Sequence, residues 1–301
     1  MPEIWHSFKY FGISGAGGER QAAEKRPPAR TMGKQTMDNN RKTRTICFTN
    51  NKGGSGKSTS CANLGYGLAA AGKKVLLIDG DMQLNLSLSF FDEDRVLDMA
   101  ESERNLYDAI RSGADLKDYI ISTDYENLDL IPSSTLMSQV EYELFTRMQR
   151  EFILKKCLRT VREEKRYDYI LIDAPPTLGT WVINILCASD YVIVPVEASP
   201  WGFFGLANMF DFLNRIQDVT DAQIMGVLIT KVDERKNYYR QAKEILEEYQ
   251  EIHVFDTFIH VDSAVEWAQD ASKPVAVYKK STRSATEFKK LTEEVIGYGS
   301  R

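Results

Sequence analysis

The stretch Thr45–Ala71 reads TICFTNNKGGSGKSTSCANLGYGLAAA, and its reading decides the fold. Thr45–Thr49 is a short apolar, β-rich run, Asn50–Lys57 is rich in glycine, and a helical pattern begins at Ser58. Strand, glycine loop and helix in that order give a phosphate-loop motif its structural context. Gly53, Gly54 and Gly56 carry no Cβ, so backbone N–H groups of the loop, Ser55 included, can close around phosphate oxygens. The helix N-terminus, with Ser58 and Thr59, adds unpaired donors and a partial positive charge at the same place. Lys57 is expected along the β- and γ-phosphates, and the Ser58 hydroxyl on Mg²⁺. A surface glycine turn with two solvated lysines would share these letters, but not the flanking strand and helix.

Outward from this stretch the chain alternates strands and helices. Strand-like runs are Thr45–Thr49, Lys74–Ile78, Leu128–Ile131, Tyr169–Ile172, Tyr191–Val196, Gln223–Thr230 and His253–Phe258. The longest helical pattern runs from Leu136 to Glu164, with others over Tyr238–Tyr249 and Thr286–Ile296. The strands are nearly continuous apolar runs (VLLID, YILID, YVIVPV), as expected of a parallel sheet covered on both faces. The fold class is therefore α/β: a single doubly wound, mainly parallel sheet flanked by helices, over residues 45–301. Residues 1–44 are dominated by glycine, proline and charge with no apolar period, and are expected to be a disordered tail. Met32 and Met37 lie close to where the folded part begins, so the physiological start is expected at one of them. N-terminal sequencing of the native protein that found Met1 or Pro2 would reject that expectation.

With 301 residues, 43% of them hydrophobic, the chain has room for a large core. Its net charge of −5 means that any DNA contact must come from a local basic patch. Cys47, Cys61, Cys157 and Cys187 form no CxxC pair, which points to a reducing cytoplasm and away from disulfides or a zinc knuckle. The three histidines form no ligand cluster. No apolar run approaches the ~18–20 residues of a membrane span, and the N-terminus lacks a signal-peptide core.

Two further stretches carry chemistry. The second strand ends in Asp79-Gly80-Asp81-Met82-Gln83-Leu84-Asn85. Strand C-termini in a doubly wound sheet face the ligand crevice, so Asp79 and Asp81 arrive beside the phosphate loop. A carboxylate there orients an attacking water or holds Mg²⁺ through one; a solvated turn rich in Asp and Asn would read alike. Tyr167–Gly179, YDYILIDAPPTLG, is an apolar strand closed by Asp173; it resembles a Walker B strand, whose carboxylate holds a water on Mg²⁺, and a buried strand ending in a structural aspartate would look the same. Pro175 and Pro176 stiffen the exit loop. Thr230 and Lys231, at the end of another strand, read either as adenine contacts or as an ordinary charged loop. Arg235, Lys236, Arg240, Lys273, Lys279, Lys280 and Arg283 are candidate phosphate contacts for DNA. Interleaved with Glu234, Glu244, Glu247 and Glu248, they equally read as a solvated face.

One departure from the ordinary loop is informative. Asn51 stands where the usual pattern has glycine, and Lys52 follows. The spelling KGGSGKST resembles the deviant Walker A loop of the ParA/MinD group of ATPases, and the resemblance to ParA-type, Soj-like members covers essentially Thr45–Ile296. It implies an ATP-dependent dimerising ATPase switch in plasmid or chromosome partitioning. ATP and Mg²⁺ would sit between two protomers, with Lys52 reaching the partner's nucleotide. Hydrolysis would be slow and stimulated by a ParB-like centromere-binding protein, and the ATP-bound homodimer would bind nonspecific DNA on the nucleoid. The segment DGDMQLN resembles the family's DxDPQxN motif, which maps the water-positioning carboxylate onto Asp81. Met82 replaces the family proline, implying a looser backbone, and Leu84 replaces its common glycine. Arg235 matches one family DNA-contacting arginine approximately, while the other falls near Ala264. A MinD-like membrane-cycling regulator is the alternative, but the final helix is short and weakly basic, so no stable membrane association is expected. A second alternative is an ATP-gated regulatory or repressor protein.

Overall fold

Arg44–Phe48 forms strand β1, and its last four residues are buried, as befits an apolar run covered on both faces. Helix α1 (Lys57–Ala70) and strand β2 (Val75–Asp79) follow, then α2 (Asn85–Leu88), α3 (Glu93–Glu101) and α4 (Leu106–Ser112). Next come β3 (Ile121–Ser122), β4 (Leu128–Ile131), α5 (Val140–Phe145), α6 (Ile153–Cys157), α7 (Arg159–Glu163) and β5 (Tyr169–Asp173). The remaining elements are α8 (Thr180–Ala188), β6 (Tyr191–Glu197), α9 (Pro200–Arg215), β7 (Gln223–Thr230), α10 (Ser263–Asp270), α11 (Val275–Tyr278) and α12 (Arg283–Gly297). The structure, a computed structural model, describes residues 43–235 and 253–298, which belong to a unit spanning Lys42–Arg301. Most of the expected tail, the expected helix Tyr238–Tyr249, and Lys236 and Arg240 lie outside the described residues. Thr43 and Arg44 fall in that expected tail, but the Thr43 hydroxyl donates to Tyr167 O at 2.7 Å and Arg44 opens β1.

The sheet has seven strands in the order β3-β4-β2-β5-β1-β6-β7. All pairs are parallel except β3 with β4. β1 lies between β5 and β6, and the register sets Asp173 beside both Phe48 and Asp79. Thus the carboxylates that end β2 and β5 meet at the C-terminal edge of the sheet, where the loop after β1 begins. Ile46, Leu77, Leu171 and Ile193 are fully buried along these strands, each worth about 1.5–3 kcal/mol of burial before chain entropy is charged against it. Gly65 lets α1 lie close to the sheet, because a Cβ there would come within 2.6 Å of Leu77 Cδ2.

Three expectations need correction. His253–Phe258 is not a ladder strand: only Val254 bridges β7, at Val227. Phe255 N–H donates to Val227 O (3.1 Å) and, just beyond, Ile259 N–H to Ile229 O (2.9 Å), but Asp256 N–H turns to Glu294 (2.9 Å) and His260 N–H to Glu287 (2.9 Å). Carboxylates of α12 thus hold the alternate donors, and the bonds to β7 are too scattered to make a ladder. The expected helix Leu136–Glu164 is broken into short pieces. The amide of buried Asn184, on α8, accepts from Leu154 N–H (3.2 Å) and donates to Arg150 O (2.6 Å), the two groups an unbroken helix would join. The chain also passes through a left-handed residue, Gln149, at φ 53°. Finally, the two-residue edge strand β3 was not anticipated.

Candidate nucleotide site

The loop Asn50–Lys57 turns through Gly54 (φ 71°) and Gly56 (φ 88°), both left-handed. That conformation is readily open to glycine and costly for residues with a Cβ. Gly56 precedes α1 with no side-chain cap, so the first N–H groups of the helix remain available to an anion. The loop is anchored from behind. Asn50 donates to Pro195 O (2.7 Å) and accepts from Lys52 N–H (3.0 Å), and Thr230 donates to Ser55 O (2.8 Å). Thr230, expected as a base contact, is buried with its hydroxyl committed to the loop. Lys231 extends its ammonium to 3.8 Å from where a Gly54 Cβ would stand, beside the phosphate turn. Ser58 and Thr59 lie on the first turn of α1, and the Thr59 hydroxyl accepts from Gln269 (3.0 Å).

Charge converges on the front of the loop. Lys57 is buried. Burial pushes its ammonium below the usual lysine range, while Asp173 and Asp81 pull it back. Asp173 is fully buried, and among the described residues neither carboxylate oxygen has a well-formed hydrogen bond. Burial lifts it well above the usual range and neighbouring Asp79 adds to this, against the pull of Ser58 and Lys57. Asp79 differs because its oxygens are occupied, by the N–H (2.9 Å) and hydroxyl (2.7 Å) of Ser87 and by Asp81 N–H (3.3 Å). Burial still raises it to about 6. Asp79 thus serves as a strut that ties α2 to the end of β2.

Asp81 accepts from Gln83 N–H (3.1 Å), and Leu84 N–H closes a turn onto Asp81 O (3.1 Å). This turn is well tied despite Met82 at the proline position. Leu84 holds a left-handed φ of 60°, which costs roughly 1–2 kcal/mol and is offset by burial of its side chain. Lys52 departs from the cradle. Its ammonium pairs with Glu197 Oε2 (2.5 Å), at the end of β6, and with Ser199 Oγ (3.3 Å), the cap of α9.

Buried polar atoms with no well-formed hydrogen bond among the described residues surround this cradle: the hydroxyls of Thr49 and Ser55, the amide oxygen of Asn51 and both Asp173 oxygens. Native proteins leave few such atoms, and a bound ligand is a standard reason for them. Residues 43–225 match a family described as an AAA domain. The sporulation initiation inhibitor protein Soj of Bacillus subtilis is 37% identical over 84% of this chain and 98% of its own. The chromosome partitioning protein ParA of Caulobacter vibrioides is 32% identical over 84% of this chain and 94% of its own. The chain belongs to the ParA/Soj family of partitioning ATPases. Among solved structures, a plasmid partition protein from Borrelia burgdorferi bound to AMPPNP superposes with a TM-score of 0.69 and 27% identity. That match covers 85% of this chain and 98% of the other.

The basic face expected of this ParA/Soj-family chain is less basic than its sequence suggests. Arg235 lies against Asp233 with two nitrogens, at 2.8 and 2.9 Å. Arg283 pairs with Glu234 (2.7 Å) and Glu287 (2.8 Å). Lys273, Lys279 and Lys280 are exposed. Ala264, where a second arginine was sought, is buried at the start of α10. Glu197 escaped the reading of the sequence, although the rule that found Asp79 and Asp173, a carboxylate closing an apolar strand, finds it too. Trp181 and Glu141 also escaped it. Trp181 Nε1 donates to Gly80 O at 2.9 Å, and Glu141 accepts from Thr180 N–H (3.1 Å) and Trp181 N–H (3.0 Å).

Proposed function

We propose that this protein is an ATP-driven dimerising switch for DNA partitioning, with two lysines on one loop serving different subunits. The observation that carries the reading is the separation of their ammonium groups. Lys57 is buried toward Asp173 and Asp81, whereas Lys52 is drawn to the rim by Glu197 and Ser199. One cation neutralises the chain's own triphosphate; the other is held at the rim, where the nucleotide of a second copy would draw it from Glu197. The loop N–H groups bind the phosphates, and Asp81 orients the attacking water. Ser58 and, through water, Asp173 would hold Mg²⁺, and the buried oxygens of Asp173, with no well-formed hydrogen bond among the described residues, suit that role. When bound, the ion neutralises charge on the β- and γ-phosphate oxygens.

Partitioning follows if nucleotide loading and DNA affinity are linked through the homodimer. A ParB-like protein on the centromere would stimulate turnover, and the ATP-loaded dimer would reside on the nucleoid in the cytoplasm. The membrane-cycling alternative loses ground, because Phe288, Leu291 and Val295 of α12 are buried in the core. No helix among the described residues is long and apolar enough to cross a membrane.

Measured nucleotide binding and turnover in two variants test the assignment. Lys57→Ala is expected to lose ATP binding. Lys52→Ala is expected to bind ATP within about twofold of wild type and lose hydrolysis by a factor of 10² or more, the scale at which transition-state cations act. Unchanged turnover in Lys52→Ala would reject the role in trans.

A further inference from the structure

The peptide that carries Asp81 is held at two points by groups outside the phosphate loop. Gly80 N–H donates to Asp173 O at 2.9 Å, and Gly80 O accepts the indole N–H of Trp181 at 2.9 Å. A Cβ on Gly80 would lie 2.6 Å from Asp173 O and 3.5 Å from Trp181 Nε1. The glycine permits this close approach. Trp181 is 2% exposed, so its N–H has little access to water and depends on the Gly80 carbonyl. Its own backbone is fixed in turn by Glu141, whose two oxygens accept from Thr180 N–H and Trp181 N–H. Gly179 lacks the Cβ that would collide with Glu141 Oε1. A continuous path of hydrogen bonds therefore runs from α5, through the first turn of α8 and across the indole, to the residue before Asp81.

We infer that Trp181 and Glu141 are positioning residues for ATP hydrolysis, acting through the Gly80 carbonyl to aim the Asp81 carboxylate. The inference rests on the proposed role of Asp81. Among the described residues Trp181 makes no hydrogen bond of its own to the phosphate loop, so nucleotide affinity is expected to be independent of it. Turnover is sensitive because a shift of about 1 Å in an orienting group costs on the order of 10²-fold in rate. The indole N–H is the active feature: a phenylalanine would keep most of the packing but donate nothing to Gly80.

The test uses the full chain, with single-turnover ATP hydrolysis and equilibrium binding of a fluorescent ATP analogue. Trp181→Phe is expected to bind the analogue within about twofold of wild type and to lose kcat by about tenfold or more. Glu141→Gln should lose less, since the amide oxygen still accepts one of the two N–H groups, and it provides the measurement if Trp181→Phe fails to fold. A residue that only fills the core would lower the melting temperature and leave kcat per folded molecule unchanged. Combined with Asp81→Asn, Trp181→Phe should cost much less than it does alone, because both changes act on one group. Wild-type kcat in a folded Trp181→Phe or Glu141→Gln, or fully multiplicative losses with Asp81→Asn, overturns the inference. Wild-type kcat in Asp81→Asn alone overturns the assignment beneath it and is visible separately in that single variant.

Discussion

The cysteines show how far burial alone decides reactivity. Cys47, Cys61, Cys157 and Cys187 are all free and buried. Burial pushes the Cys47 thiol up to about 12, and those of Cys157 and Cys187 to about 11. Thiolate is the nucleophile, so at pH 8 a thiol titrating near 11 is ionised in roughly one molecule per thousand. The native protein is therefore expected to resist DTNB at pH 8, while all four thiols react in concentrated urea. A native thiol labelled within minutes would show that its surroundings open far more readily than this packing allows. Lys57 and Asp173 obey the opposite logic: they are charged groups buried against their preference, and the proposed ligand compensates them.

At the scale of elements, one carboxylate joins two helices. Asp262 accepts from Ala264 N–H (3.0 Å) at the start of α10, and from the N–H (3.1 Å) and hydroxyl (2.7 Å) of Ser284 in α12. Burial pushes this carboxyl up, but the bonds from Ala264 and Ser284 outweigh it and hold it below the usual range. A depressed carboxylate adds stability that is fully present above its ordinary pKa and fades as pH falls through the lower folded value. Asp262→Ala should thus lower unfolding stability by about 1–3 kcal/mol at pH 7. The gap should narrow between pH 5 and pH 3 in urea titrations. An equal gap throughout that range would mean the ionised carboxylate is not what joins the helices. The sequence shows why such links are hard to read. Asp81 and Asp173 stand out because each closes or follows an apolar strand, and strand ends converge by topology. Asn184 and Glu294 act through partners 30 or more positions away, and the bond from Asp262 to Ser284 spans 22; no local pattern announces these links. That is also why Leu136–Glu164 reads as one helix: its periodicity is intact, and the break comes from the amide of Asn184, on another element, beside the left-handed turn at Gln149.

For the molecule as a whole, the question is how a chain of net charge −5 would hold DNA. Arg235 and Arg283 already have carboxylate partners, so phosphates would have to displace Asp233 and Glu234 to engage them. Among the described residues, the exposed lysines of the expected face are Lys273, Lys279 and Lys280, three contacts on one copy. Two copies brought together by ATP would offer about six contacts, and log K should then fall with log salt at a slope of about −5. Replacing Lys279 and Lys280 by alanine removes about four of those contacts and should leave a slope of about −2. Arg235→Ala should hardly change it. Fluorescence anisotropy on a random duplex between 50 and 200 mM salt, roughly the range over which counterion release is resolved, measures all three slopes. On the proposed mechanism Asp81→Ala is expected to be trapped as the ATP-bound dimer, with its mass doubled in light scattering, and to serve in that titration. If duplex binding keeps the same slope without nucleotide, the cations already act together on one copy. ATP would then have nothing to switch, and the coupling between loop and DNA face would have to be abandoned.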